Sequence, residues 1–324
     1  MRYNKLLILT EAGNGIGLGH INRCMAIAEV ALQKGFECEI LLDKKGDSLP
    51  ISGSFKLKKW LTDSTILQSY THFDVVLIDS YLLDNDGEAY IKKLFSKTVF
   101  LDDYNRMTFL ADLVINPNVC FGLIDYSNQK QVVGGKEYII LRKEFRDYKP
   151  EFKSGGKKIL ITIGGTDYRN IIAKISEHLI SAGFKDITVI CPDKCDLPKI
   201  SHLKNHLQIK EFLTADEMLI EYNKASLVIS ACGSTLNELA SIGKFTVGIC
   251  LDIDQEPIQH FYLKEGLLLN KIDWDDNYMG DKILDNVKLF FSEIDNKVYF
   301  DKVVSLINKN GVNNILNQIF QLTD

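Results

Sequence analysis

Residues 6–24 read "LLILTEAGNGIGLGHINRC", an apolar run followed by four glycines at alternate positions and then by a histidine. An apolar run of strand length that leads through a glycine-rich turn into a helical pattern is typical of a parallel α/β domain. In such domains, ligands bind beyond the carboxyl ends of the strands. Three roles are therefore open for this turn: to bind a dinucleotide, to hold a phosphate, or to place His20 for chemistry.

The glycine spacing argues against a dinucleotide site. The fingerprint G-x-G-x-x-G needs its third glycine so that the helix can pack closely on the strand. In the three registers available here, the third position is Leu18, His20 or Asn22. A Walker A motif is also missing from the sequence, because no Gly-Lys-Ser/Thr follows the turn. Asp43, which ends the second predicted strand, does not by itself indicate a ribose site.

His20 lies where the glycine turn meets the predicted helix "HINRCMAIAEVALQKG", residues 20–35. One interpretation is a helix-capping or surface histidine that has no chemical role. The other is a histidine that faces a ligand, since glycines let a ligand approach the backbone and a helix N-terminus favours an anion beside the imidazole. We favour the second interpretation.

Strand-length apolar runs alternate with helical patterns along the whole chain, which predicts a parallel sheet in each half. The runs are "KLLIL", "CEILLD", "DVVLID", "TVFLDD" and "DLVIN", then "KKILITIGG", "DITVICP", "LQIKEFL", "SLVISACGS" and "FTVGICLD". A chain of 324 residues suits two domains of roughly 150 residues each. We predict two Rossmann-like parallel-sheet domains with an interdomain cleft, residues 1–150 with the G-x-G-H loop and residues 151–324 with the nucleotide site and terminal helices.

Composition narrows the possible functions. The net charge of −5 gives no support for nucleic-acid binding. The apolar run at the N-terminus is too short for a signal peptide or a membrane span, so a cytoplasmic protein is expected.

Seven scattered cysteines argue against a disulfide framework, and Cys191 and Cys195 lack the second Cys/His pair of a zinc site. The adjacent acids Asp102-Asp103 and Asp275-Asp276 have no partner cluster, so no metal or other cofactor is expected.

Two further glycine turns mark the second half. "SACGSTLNEL" ends a strand and begins a helix, so the amides and hydroxyls of Gly233, Ser234 and Thr235 suit a phosphate. Glu238 lies one turn into that helix, within reach of a ribose diol, although Ser234 or Thr235 with Asn237 or Glu238 would equally make a capping box. In "IGGTDYRN", Asp167 either caps a helix or binds a sugar hydroxyl.

Six motifs together resemble a known family. The chain carries "GIGLGHINRCMAIA", "IDSY", "LDDY", "LVINPN", "GGTDYRN" and "SACGSTLNELASIGKFTVGICLDIDQE" in this order over residues 5–270. They resemble the UDP-sugar hydrolases of pseudaminic acid biosynthesis and their spore-coat polysaccharide relatives, which belong to the GT-B superfamily. Family members usually begin the first loop with Arg-x-Asp, where this chain has Leu9-Thr10-Glu11, and Asp79-Ser80-Tyr81 replaces Asp-His-Tyr.

The resemblance implies hydrolysis of UDP-2,4-diacetamido-2,4,6-trideoxy-β-L-altrose by inverting attack of water at the anomeric carbon, without metal. It assigns the catalytic role to His20, and Asp79 and Tyr81 are expected to help by positioning the sugar or the water. The substrate-binding residues expected are Gly17, Gly19, Arg23, Gly165, Thr166, Asp167, Gly233, Ser234, Thr235, Asn237, Glu238 and Gln255.

Two other functions remain open at this stage. A GT-B glycosyltransferase would use the same UDP-sugar donor with an acceptor hydroxyl in place of water, and a non-catalytic protein would only bind the nucleotide sugar. The sequence has no evident amphipathic segment with exposed apolar and basic residues, so stable membrane association is not expected. The partner expected is therefore a small UDP-sugar, and the oligomeric state stays open.

Overall fold

The computed structural model describes residues 5–13, 16–46, 53–153, 155–164, 167–191, 197–211, 213–292 and 294–322. Three positions singled out above, Gly165, Thr166 and Cys195, lie outside these ranges. The chain divides into two compact units. One runs as far as Arg142 and takes in the segment from Asn308 onward, and the other is Lys143–Ile307.

The first unit is built on a seven-stranded parallel sheet with the strand order β3-β2-β1-β4-β5-β6-β7. The strands are β1 (Lys5–Gly13), β2 (Glu37–Lys45), β3 (Lys56–Leu57), β4 (Val75–Asp79), β5 (Lys97–Leu101), β6 (Leu113–Asn116) and β7 (Val132–Gly134). Helices α1 (Gly19–Gln33) and α2 (Asn85–Leu94) connect β1 to β2 and β4 to β5. All five strands predicted in this half are present, and β3 and β7 are additional short edge strands.

Both faces of this sheet are buried, which explains the near-continuous apolar sequence of its strands. Leu6 and Ile8 of β1 pack in one core cluster with α1, while Leu7 and Leu9 pack in a second cluster on the opposite face. Such alternation follows from the two-residue repeat of a β-strand. Because β1, β4, β5 and β6 are parallel neighbours in the sheet, their carboxyl ends lie side by side at one end of it.

The second unit contains a five-stranded parallel sheet with the strand order β10-β9-β8-β11-β12. Its strands are β8 (Ile159–Thr162), β9 (Ile187–Cys191), β10 (Gln208–Glu211), β11 (Leu227–Ala231) and β12 (Phe245–Ile249). Its helices are α3 (Lys143–Asp147), α4 (Ile171–Ser181), α5 (Leu197–Ile200), α6 (Ala215–Lys224), α7 (Thr235–Ser241), α8 (Glu256–Lys264), α9 (Met279–Ser292) and α10 (Asn296–Leu306). The prediction of two Rossmann-like parallel-sheet domains is confirmed.

The unit boundaries differ from the predicted ranges 1–150 and 151–324. Residues 143–147 form α3, and Phe145 of that helix packs beside Tyr222 of α6, with ring centroids 5.9 Å apart. The last helix, α11 (Gly311–Gln321), belongs to the first unit. Its buried residues Ile315 and Leu316 join the core cluster of α1, and Phe320 stacks on Phe36 with ring centroids 4.2 Å apart. The sequence pattern identified this helix but not the sheet that it covers.

We expect Ile315→Ala to destabilise the first unit by about 2–5 kcal/mol, because it empties a fully buried site. Asn317→Ala, on the exposed side of the same helix, should change stability by less than about 0.5 kcal/mol. Urea denaturation measures both values. Hydrogen exchange should accelerate in α1 and β1 of the Ile315 variant. Faster exchange confined to residues 143–307 would contradict the assignment of α11 to the first unit.

Candidate active site

The turn between β1 and α1 is shaped by glycines. Gly13 has φ +130°, and a Cβ atom there would lie 1.9 Å from the carbonyl oxygen of Lys45. Gly13 and Gly17 exchange two backbone hydrogen bonds of 3.2 and 2.9 Å, and Gly17 has φ +80°. Within the described ranges, no heavy atom comes within 4 Å of a Cβ built on Gly17 or Gly19. The turn thus needs glycine for its conformation at Gly13 and presents open backbone at Gly17 and Gly19.

His20, in the first turn of α1, pairs with the last residue of β4. Its Nδ1 lies 2.6 Å from Oδ1 of Asp79, and both side chains are buried. Burial alone raises the pKa of Asp79, but the charges of Arg23 and His20 and their hydrogen bonds outweigh it and hold that pKa below its usual range. The carboxylate therefore accepts the Nδ1 proton. In the neutral imidazole, Nε2 is then the unprotonated nitrogen.

Arg23 lies one helical turn after His20 and contacts two carboxylates. Its Nε and Nη2 donate to the two oxygens of Asp79, both at 2.6 Å, and its Nη1 donates to both oxygens of Asp103 at 2.8 and 2.9 Å. Burial opposes the charged guanidinium, but Asp103 and Asp79 outweigh it and raise the pKa of Arg23 further. Arg23 was predicted to bind substrate. In this structure its nitrogens are engaged by these two aspartates.

Tyr81, two residues after Asp79, completes the cluster. Its hydroxyl donates a hydrogen bond to Oδ2 of Asp103, and its ring meets the His20 ring edge to face with centroids 4.4 Å apart. Burial, and then the charge of Asp103, raise the pKa of the Tyr81 phenol, so it stays protonated. With its proton directed at Asp103, the Tyr81 oxygen offers a lone pair to any further partner. The three predicted catalytic residues, His20, Asp79 and Tyr81, thus lie together.

The cluster also includes Glu11, Asp103 and Asn118, which the sequence pattern did not identify as site residues. Glu11 is fully buried at the end of β1, and its carboxylate accepts hydrogen bonds from the Ser80 hydroxyl and, at 2.8 Å, from the Tyr81 amide. Asn118 donates to Oδ1 of Asp103 at 2.6 Å. The sequence did contain a signal for these residues, because "LTE", "IDSY", "LDDY" and "INPN" each place polar side chains after an apolar run of strand length.

The two adjacent aspartates after β5 have different environments. Asp103 accepts bonds from Arg23, Tyr81 and Asn118, whereas Asp102 accepts bonds from the backbone of its own loop and, at 2.5 Å, from the Tyr126 hydroxyl. Burial raises the pKa of Asp102, while Arg23 overcomes the same effect at Asp103 and lowers its pKa. Asp102 therefore holds the loop, and Asp103 belongs to the charged cluster.

In the second unit, the predicted phosphate turn lies between β11 and α7. A Cβ built on Gly233 would meet no heavy atom within 4 Å in the described part of the chain. Ser234 is the exposed N-cap residue of α7, and its side chain makes no capping hydrogen bond within the described residues. A capping box is therefore not formed at Ser234. Thr235 begins the helix, and Glu238 lies half-buried in its first turn.

Three other residues of this unit that were predicted to bind substrate form hydrogen bonds within the fold. Asp167 is buried and accepts bonds from the amides of Ile171 and Ile172 at 2.9 and 3.1 Å, which is the capping alternative. Asn237 accepts a 2.6 Å bond from the Tyr262 hydroxyl. Gln255 accepts a 3.1 Å bond from the Leu251 amide.

Two further features of the structure concern metal ions and membranes. Among the described residues, no group of three or more His, Cys, Asp or Glu side chains is arranged to hold a metal ion. In the same residues, no helix has both the length and the apolar character that crossing a membrane requires. Metal-independent chemistry remains a prediction.

The sequence of this chain is similar to those of known proteins. No family model matches the chain. It is 28% identical over 284 residues to an uncharacterized protein of Methanocaldococcus jannaschii, a match that covers 81% of this chain and 58% of that protein. It is 23% identical over 268 residues to the UDP-2,4-diacetamido-2,4,6-trideoxy-β-L-altropyranose hydrolase of Campylobacter jejuni, covering 81% of this chain and 97% of the hydrolase. The resemblance seen in the motifs is thereby confirmed.

Solved structures confirm the fold. MurG of Acinetobacter baumannii superposes with a TM-score of 0.63 and 18% identity over 98% of this chain and 99% of MurG. MnaA of S. aureus, solved with UDP, superposes with a TM-score of 0.64 and 13% identity over 98% of this chain and 97% of MnaA. The chain therefore has the GT-B-like architecture of two parallel-sheet α/β domains.

Proposed function

We propose that the protein hydrolyses a UDP-activated diacetamido-trideoxy sugar and releases UDP and the free sugar, in nonulosonic acid or surface polysaccharide biosynthesis. The observation that carries this proposal is the buried pair in which Asp79 accepts the Nδ1 proton of His20. A histidine oriented in this way is a suitable general base for water. The sequence similarity to the Campylobacter hydrolase supports the same reaction.

In the proposed reaction, Nε2 of His20 removes a proton from water as the water oxygen bonds to the anomeric carbon. The bond from that carbon to the diphosphate oxygen breaks, and its electron pair leaves with UDP. Asp79 stabilises the imidazolium without taking the proton, because its pKa lies below the usual range. The lone pair of Tyr81 is available to orient the water or a sugar hydroxyl.

The nucleotide is proposed to bind on the second unit, at the turn of Gly233, Ser234 and Thr235, with Glu238 on the ribose. Open space beside Gly233 and the exposed Ser234 support this assignment. A glycosyltransferase with the same donor is the second candidate, because the GT-B fold by itself does not distinguish water from an acceptor hydroxyl.

The deciding experiment is incubation of the protein with a panel of UDP-sugars and no acceptor, followed by NMR. Release of UDP with a free sugar whose first-formed anomer is inverted supports hydrolysis. Turnover that begins only when an acceptor is added establishes transfer instead. An altered sugar still attached to UDP would also refute the hydrolase assignment.

His20→Asn should lower kcat by roughly 100-fold or more, as expected for the loss of a general base, while the affinity for UDP changes little. Steady-state kinetics and calorimetry measure the two quantities. His72→Asn is the matched control, because His72 is exposed and lies three residues before the amino end of β4. A near-normal kcat in the His20 variant would rule out this mechanism.

Glu238→Ala should weaken UDP binding roughly tenfold, because it removes the proposed acceptor of the ribose hydroxyls. Isothermal titration calorimetry with UDP gives the dissociation constant. Glu177→Ala is the control in the same unit, since Glu177 forms an exposed ion pair with His202. Equal affinities in the folded Glu238 and Glu177 variants would refute the ribose assignment.

Turnover should persist unchanged in EDTA, because the proposed chemistry relies on side chains and amides to stabilise the leaving diphosphate. The measurement is the rate of UDP release before and after chelation, with readdition of Mg²⁺ or Mn²⁺. Activity that disappears with the chelator and returns with either ion would show a metal requirement.

A further inference from the structure

We propose that Asp103 is a positioning residue for His20: by pairing with Arg23, it leaves the negative charge of Asp79 for the histidine. This inference deepens the proposed function and rests on His20 as the base. Asp103 follows β5, and in the described part of the chain its carboxylate bonds to Arg23, Tyr81 and Asn118. Its effect therefore passes through Arg23 and Tyr81.

The contacts form a closed circuit. His20 contacts Asp79, Asp79 accepts from Arg23, Arg23 donates to Asp103, and Asp103 accepts from Tyr81, whose ring returns to His20. Asn118 adds a fourth donor group to the circuit through Oδ1 of Asp103 at 2.6 Å. Such a fully bonded network fixes the orientation of every member.

The charges in this circuit do not cancel. One guanidinium lies between two carboxylates, so a net negative charge remains beside the imidazole. Nη2 of Arg23 is only 3.3 Å from Nδ1 of His20, and without Asp103 that positive charge would neutralise Asp79 and oppose imidazolium formation. Asp103 removes this opposition.

The other titratable groups near His20 and Asp79 do not supply the negative charge that Asp103 provides. Cys24, on the same helix as His20, donates its thiol to Oδ2 of Asp79 at 3.4 Å, and burial raises its pKa, so it is neutral. Tyr81 also stays protonated. Glu11 contacts the amide of Tyr81 and is unchanged in all of the variants below.

The experiment compares wild type with D103N, R23Q and R23Q/D103N. Two-bond ¹H–¹⁵N spectra follow the ring signals of His20 against pH without substrate. We expect the transition in D103N to move toward lower pH and the transition in R23Q to move upward, with the double variant following R23Q, because Asp103 acts through Arg23. The acid limb of kcat should move with these transitions, and kcat of D103N should fall about tenfold with little change in KM.

D112N is the matched control. Asp112 also pairs with a cation, Lys92, but it precedes β6 and so lies at the opposite edge of the sheet. Its loss should leave the His20 transition where it is. If D103N does not fold, R23Q alone decides: an unshifted His20 transition in that variant overturns the proposal, because the Arg23 charge then does not oppose the imidazolium.

A His20 transition that responds to D103N no more than to D112N would overturn the proposal and leave Asp103 a purely structural role. Absence of UDP release from every UDP-sugar in the wild type would instead refute the proposed function. The substrate-free spectra decide the charge argument in either case, so the two failures are distinguishable.

Discussion

The buried negative charge of Asp79 is the constraint around which the polar cluster of the first unit is arranged. A carboxylate without solvent exposure is tolerated only when it is paired and hydrogen-bonded. His20 and Arg23 meet this need from one face of α1, since residues three apart lie on the same side of a helix. Arg23 is itself largely buried and requires Asp103 in turn. Each charge in the cluster therefore fixes the position of the next.

This arrangement depends on where α1 begins. β1 pairs with β4 so that Thr10 lies beside Asp79, and the chain must reverse between Gly13 and Gly19 to bring His20 back over that point. Only glycine fits at position 13, where the backbone passes against the Lys45 carbonyl. The glycine turn that excluded a dinucleotide fingerprint thus has a different physical purpose, which is to set the register of α1 against β4.

The sequence was sufficient to predict the parallel strands, because their apolar runs reflect burial on both faces. It also singled out His20, Asp79 and Tyr81, whose side chains the fold brings together, and their catalytic roles stay a prediction. It did not reveal the two-residue strand β3, whose residues are exposed, or the place of α11, since an amphipathic pattern shows which face is buried but not the partner. Asp103 was missed because two adjacent acids look alike in sequence, and only the fold separates the residue that faces Arg23 from the one that holds its loop.

The two units use polar side chains differently. In the first unit, the charged groups at the carboxyl ends of the strands bind one another, and Nε2 of His20 stays outside these bonds. In the second unit, Asp167, Asn237 and Gln255 are bonded within the fold. A ligand at that edge would meet backbone amides and the exposed Ser234 rather than these three side chains. Amides at a turn suit phosphate in general and carry little information about the sugar. In the proposed reaction, selectivity for the sugar would therefore depend on the side chains around His20 and Tyr81.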